Sequence, residues 1–276
     1  MAGIVHVVFL IDITGSMGPQ IAGVKEMVHR FCSVDRPNVQ LHIHTFTEMP
    51  DACYVTASPM ELTQTQVADY VRDKLALNSP PDTGVTNASG GDGPENHAAG
   101  VASLTQKFTQ EHNIVCFLIT DAVPHYRDRG RSREAVKESE WLEQNGFPTD
   151  VFKVLNGVIE GLNVTFVPIL YKNPDLTWFA QAAGLTDSLI LFPTSTNSTL
   201  LANGLHALLE ALQGRVNGET AIPPSTLEAL SGFRVTAVGR EDFVALNEDP
   251  PSLTAAPAGA PPSGYFSHIG PPPPYP

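Results

Sequence analysis

Asp12, Thr14 and Ser16 are the residues whose types and spacing are best suited to chemistry. A carboxylate is followed two and four positions later by hydroxyls, and Gly15 lets the chain turn tightly between them. An isolated buried carboxylate is costly, so Asp12 must be met by a cation or by a dense set of donors. Hard oxygens presented together suit Mg²⁺ or Mn²⁺ far better than zinc. Asp121 repeats the arrangement, following the continuously apolar run Ile114 to Ile119 and Thr120. Asp92 lies in a third acidic stretch, Gly90-Gly91-Asp92-Gly93-Pro94-Glu95. Glycine density there implies a sharp turn or a close approach, which favours a metal-facing Asp92 over one that merely caps the next helix.

The elements that must position these groups can be read from periodicity. Val5 to Ile11 is apolar throughout and predicts a buried strand that delivers Asp12 at its end. Gly18 and Pro19 open a helix whose buried stripe is Ile21, Val24, Val28 and Phe31. Further strands are expected at 39–46, 53–57, 114–119, 164–170 and 188–192. Between them, helical spacing recurs at Val67, Val71 and Leu75, at Val101, Leu104 and Phe108 in a helix started by Pro94-Glu95, and at Val151, Leu155 and Val158. A short helix runs from Leu176 to Gly184, and Leu201, Leu205, Leu208 and Leu212 mark a long one. Such alternation predicts an α/β fold of three layers, with a mostly parallel six-stranded sheet and helices on both faces. Sites in these folds lie outside the strand carboxyl ends, where Asp12 and Asp121 both emerge.

Asp12-Ile13-Thr14-Gly15-Ser16 resembles the Asp-x-Ser/Thr-x-Ser signature of von Willebrand factor A domains with a metal-ion-dependent adhesion site. The resemblance runs over roughly residues 4 to 213. It implies a Rossmann-like fold, bound Mg²⁺ or Mn²⁺, and an open coordination position for an Asp or Glu of a protein partner. Asp121 resembles the family's later metal-site aspartate, which usually acts through water. The family's middle loop normally supplies a threonine to the ion. Gly90-Gly91-Asp92-Gly93-Pro94-Glu95 instead resembles the variant loop of alpha-kinase-associated A domains, with Asp92 in the threonine's place. Thr83, Thr86 and Asp92 therefore all stand as candidates for contact with the ion.

Composition narrows the classes. With 29 acidic against 16 basic residues, a formal charge of −13 argues against nucleic acid as a partner. The chain contains no apolar run long enough to span a bilayer and no basic leader, so a cytoplasmic protein without a transmembrane segment is expected. Cys32, Cys53 and Cys116 form no Cys-x-x-Cys pair and read as reduced thiols. His42 and His44 share one side of a strand and read as packed residues rather than ligands, since no third ligand is nearby in sequence. His125 reads as packing more than as a base, and Arg127, Arg129, Arg131 and Arg133 as a solvated loop.

Residues 1–213 are expected to form the A domain and 214–247 an extension with two short strand candidates. Residues 248–276 form a Pro-rich tail. The tail ends Pro272-Pro273-Pro274-Tyr275, which resembles the Pro-Pro-x-Tyr ligands of WW domains, including those of ubiquitin ligases. The expected function is thus a metal-dependent protein-interaction module, not an enzyme. Two alternatives remain: a Mg²⁺-dependent phosphoester hydrolase, or an adaptor acting mainly through its tail. Against the hydrolase, no P-loop, no Gly-x-Ser-x-Gly elbow and no Asp-x-Asp follows the first strand.

Overall fold

A computed structural model of the chain describes residues 3–50, 52–88, 93–125, 132–172, 174–216 and 222–237. Among them are seven strands: β1 Val5–Asp12, β2 Val39–Met49, β3 Ala52–Ala57, β4 Asn113–Thr120, β5 Asn163–Leu170, β6 Leu189–Pro193 and β7 Phe233–Ala237. The helices are α1 Ile21–Cys32, α2 Gln64–Lys74, α3 His97–Ala102, α4 Arg133–Gln144, α5 Val151–Gly161, α6 Thr177–Leu185, α7 Ser198–Val216 and α8 Pro224–Ala229. They build one sheet in the order β3-β2-β1-β4-β5-β6-β7, parallel except for β3 and β7 at its edges.

The expected α/β architecture is present, with one strand more than the six counted from the sequence. β7 comes from beyond residue 213 and pairs antiparallel with β6, Leu191 opposite Val235. Two apolar layers follow from the two-residue period of β1. Val7, Phe9 and Ile11 face a core shared with α1, α2 and α7, while Val8 and Leu10 face one shared with α3, α5 and α6. Every residue of β1 is buried, which explains its unbroken apolar run and leaves Asp12 as its charged exception.

Strand order fixes where a site can form. From β1 the chain moves outward to β2 and β3, then returns to place β4 on the other side of β1. The switch point of the sheet is therefore the crevice between β1 and β4, whose carboxyl ends carry Asp12 and Thr120. Among the described residues, no helix is long and apolar enough to cross a membrane.

The tight turn expected at Gly15 is a 3-10 turn, Gly15–Met17, formed without positive φ at the glycine. One local expectation is corrected. The helix expected to start at Pro94-Glu95 begins at His97, with Asn96 as its N-cap. Glu95 is drawn instead into a bridge beside Pro124, its N–H donating to the Val123 carbonyl at 2.8 Å. That cross-chain bond prevails over the local preference of proline for a first helical turn.

Candidate metal centre

Three segments meet at the β1–β4 rim. Asp12 is fully buried at the end of β1. Its Oδ1 accepts hydrogen bonds from the Thr14 backbone N–H at 2.9 Å and the Thr14 hydroxyl at 2.6 Å, and its Oδ2 accepts from the Thr120 hydroxyl at 2.7 Å. Thr14 Oγ1 lies 3.2 Å from Ser16 Oγ, and Ser16 Oγ donates to Asp121 Oδ1 at 2.6 Å. Asp12, Thr14, Ser16 and Asp121 thus form one contiguous cluster of oxygens in which each hydroxyl gives its single proton to a carboxylate, although Ser16 and Asp121 are 105 residues apart.

Burial dominates the electrostatics of Asp12. Removal from water pushes its carboxyl up to about 6, against the lowering pull of the Thr14 and Thr120 hydrogen bonds, and the neighbouring Asp121 charge pushes it further up. The donors present are therefore not enough to hold the charge at its ordinary cost. Behind it, Thr120 Oγ1 also accepts from the Ala122 N–H at 3.2 Å and lies 3.0 Å from His97 Nε2. His97 is buried, and desolvation holds it down to about 3, with His125 adding to the depression and a bond to the Glu95 carbonyl offsetting part of it.

The other carboxylate of the rim has a second partner. Lys172, directly beyond the end of β5, brings Nζ to 2.6 Å from Asp121 Oδ2. The contact is an ion pair to an oxygen that is itself buried. The lysine is 53% exposed, whereas the Asp121 side chain is fully covered.

The donor set fits a hard divalent cation. Two carboxylates and two hydroxyls are the ligands that Mg²⁺ or Mn²⁺ accepts while keeping several waters, and the raised Asp12 carboxyl marks a negative charge short of compensation. Among the described residues, no group of three or more His, Cys, Asp or Glu is arranged for a metal, so soft or imidazole coordination has no frame here.

The remaining sequence candidates fare differently. Asp92 lies outside the described residues, as do Arg127, Arg129, Arg131, Pro272, Pro273 and Tyr275. Thr83 uses its hydroxyl within its own turn, donating to the Pro80 carbonyl at 2.7 Å and accepting from the Val85 N–H at 3.2 Å, and Thr86 is exposed. The loop that carries them is nonetheless tied to the rim. The Asn78 N–H donates to the Ile13 carbonyl and the Ala88 N–H to the Asn78 carbonyl, both at 2.7 Å.

The histidines follow the packing reading. His42 Nε2 lies 3.1 Å from His6 Nδ1, and His44 Nδ1 lies 3.1 Å from Ser103 Oγ. Burial lowers both to about 3. His125 directs Nδ1 to Glu138 Oε2 at 2.9 Å and places Nε2 3.4 Å from Glu48 Oε2, all three side chains being buried. Its ring nitrogens thus face glutamates rather than the rim aspartates. Sequence reasoning missed Thr120, His97 and Lys172 as neighbours of the site. Thr120 and Lys172 had one legible signal, their place at or just past a strand's carboxyl end.

No protein-family model and no curated protein sequence matches the chain. Similar solved structures include proximal thread matrix protein 1 from the mussel byssus, 14% identical, covering 76% of this chain and 48% of that one with a TM-score of 0.47. Others are a von Willebrand factor type A structure from Catenulispora acidiphila, 13% identical over 77% and 43% with a TM-score of 0.46, and the ArnB paralog VWA2 from Sulfolobus acidocaldarius, 13% over 73% and 45% with a TM-score of 0.42. The chain spans less than half the length of each of these three, and the likeness concerns fold alone.

Proposed function

We propose that this chain is a protein-interaction module that holds Mg²⁺ or Mn²⁺ at the β1–β4 rim and offers it to an Asp or Glu of a partner protein. Asp12, Thr14, Ser16 and Asp121 would hold the ion, directly or through water. The ion would supply a positive charge with an open position that a partner's carboxylate completes. The observation that carries this reading is the cluster of oxygens from Asp12, Thr14, Ser16 and Asp121 at the switch point of the sheet, with the two hydroxyl oxygens 3.2 Å apart and both their protons given to the carboxylates. Asp92 stays in the proposed set because residues on both sides of its segment bond to rim-proximal backbone, Ala88 to Asn78 and Glu95 to Val123.

The surroundings suit a docking partner. Beside the rim, a cavity of about 410 Å³ is lined by Gln20, Tyr171, Pro193, Thr194, Ser198 and Leu201. It carries hydroxyls and apolar surface but no charge, so it would take an uncharged side chain next to the partner's acidic residue. Residues 1–213 would form the binding domain, 214–247 its extension and 248–276 a tail. Pro272-Pro273-Pro274-Tyr275 would engage a WW domain, such as that of a ubiquitin ligase, placing the protein in the cytoplasm as an adaptor.

Affinity capture from a cell lysate in Mg²⁺ and in chelator tests the reading, comparing the intact protein with Asp12→Ala and with a variant lacking residues 272–275. The module predicts partners lost equally to chelator and to Asp12→Ala but kept by the tail deletion. An identical captured set under all four conditions would refute it.

A further inference from the structure

Lys172 is the one described cation in contact with the rim. Its backbone is fixed, because the preceding Tyr171 N–H donates to the Thr120 carbonyl at 3.0 Å and so clamps the chain to the end of β4. Its ammonium ends a four-carbon stem that is half in solvent and lies 2.6 Å from Asp121 Oδ2. Asp121 Oδ1 is already taken by Ser16, which leaves Oδ2 as the oxygen that a cation or its bound water would use. Lys172 therefore occupies the charge position that a divalent ion requires.

We propose that Lys172 is an internal counter-cation for Asp121 that the divalent ion displaces, so that the lysine sets the threshold for metal loading. This rests on the rim being a metal centre. On binding, the ion takes over neutralisation of Asp121, and the freed ammonium swings into solvent on its stem. There it stands at the edge of the rim with its charge unspent, positioned to meet the acidic partner that the ion attracts. Two like charges cannot both sit on Asp121 at short range without mutual repulsion, which makes exchange favoured over joint occupation. The exchange leaves no buried charge unpaired, because the ion neutralises the covered Asp121 carboxylate as the half-exposed ammonium returns to water.

A purely structural lysine and an exchanging one predict opposite signs. If Lys172 only stabilises the rim, its neutral replacement loosens the site and weakens metal binding. If it competes, the replacement tightens it. The test is Mn²⁺ titration, by calorimetry or by the paramagnetic signal of free Mn²⁺, on the full chain and on its Lys172→Met and Lys172→Arg variants. Lys172→Met keeps most of the stem and removes the charge, and its dissociation constant should fall about fivefold, the scale of a partly solvated charge contact. Lys172→Arg keeps the charge and should stay within about twofold of the parent. Chelated Lys172→Met, with Asp121 uncompensated, should melt slightly below the chelated parent, while the gain in melting temperature on adding Mn²⁺ should be larger. An unchanged or weakened Mn²⁺ affinity in Lys172→Met, with the parent binding normally, would overturn the exchange and leave the metal centre standing. Failure of parent and variant alike to bind Mn²⁺ would overturn both.

Discussion

Ion affinity at the rim should follow the protonation of Asp12. A divalent cation binds the carboxylate and not the acid, so below the folded-state pKa each bound ion must expel one proton. With the Asp12 carboxyl pushed up to about 6, about nine-tenths of molecules carry the acid form near pH 5, and about one-tenth carry it near pH 7. The Mn²⁺ dissociation constant should accordingly fall about tenfold from about pH 5 to about pH 7 and then level off. The same shift sets the sign for stability. Because the folded value lies above the ordinary 3.8, the folded state keeps the proton longer. The stabilisation is complete below the unfolded value and is lost as pH rises through about 6. The full swing is on the order of 3 kcal/mol, and about 1 kcal/mol of it falls between about pH 5 and about pH 7. Chelated protein should therefore lose that part of its stability over this range, and bound Mn²⁺ should restore it. Calorimetric titration in buffers of different ionisation enthalpy reads affinity and proton release together, and Asp12→Asn serves as the control without the titrating group. A Mn²⁺ affinity that varies less than about twofold across the range, with no proton released, would refute the reasoning.

Three further outcomes follow from contacts at and behind the rim. Ser16→Ala removes the bond that ties Asp121 to the first loop. Mn²⁺ affinity should weaken about tenfold while chelated stability changes by only about 1 kcal/mol, as denaturant melts will show. Glu138→Ala leaves the Ala99 N–H and His125 Nδ1 without their acceptor in a buried setting. It should cost about 3 kcal/mol, and a loss under about 1 kcal/mol in the same melts would mean that the cluster is not held as described. Gly100→Ala would set its methyl 3.0 Å from Phe46 Cδ1 and 3.4 Å from Leu10 Cδ1. Both neighbours are packed side chains of β1 and β2, so thermal unfolding should show a loss of about 1–3 kcal/mol.

The parts of the fold legible in the sequence are those written locally. The run Val5 to Ile11 and the charge that ends it identify a buried strand and its site, because a two-faced strand in a parallel sheet has no polar positions to spare. Thr120 was passed over because its role depends on which strand lies beside β1. The pairing of Ile11 with Ile119 brings its hydroxyl to Asp12, and no spacing within either segment encodes that pairing. His42 and His44 were correctly placed on one side of a strand, but the ring that His42 meets belongs to His6 on β1. β7 was visible as a short strand candidate, while its place in the sheet depends on antiparallel pairing with a segment about 45 residues earlier. The start of α3 failed for the same reason, since Glu95 bonds to Val123 across the rim instead of to its own helix.

The composition of the rim favours the proposed metal centre over an ordinary buried polar network. An asparagine at position 12 would accept the Thr14 bonds through its oxygen and could donate through its amide to the Thr120 hydroxyl, satisfying the same partners without a charge. Aspartate satisfies them too, but at neutral pH it adds the cost of an ionised group with no solvent around it, expressed in its raised pKa. Hydrogen bonding alone therefore gives no reason for the charge, whereas a divalent ion removes the cost on arrival. Asp121 has a compensating cation in Lys172, but Asp12, equally buried, has no such partner among the described residues. In the proposed metal centre the two buried carboxylates would thus divide the work, Asp121 being neutralised by Lys172 until exchange and Asp12 supplying the uncompensated charge that would draw the ion in.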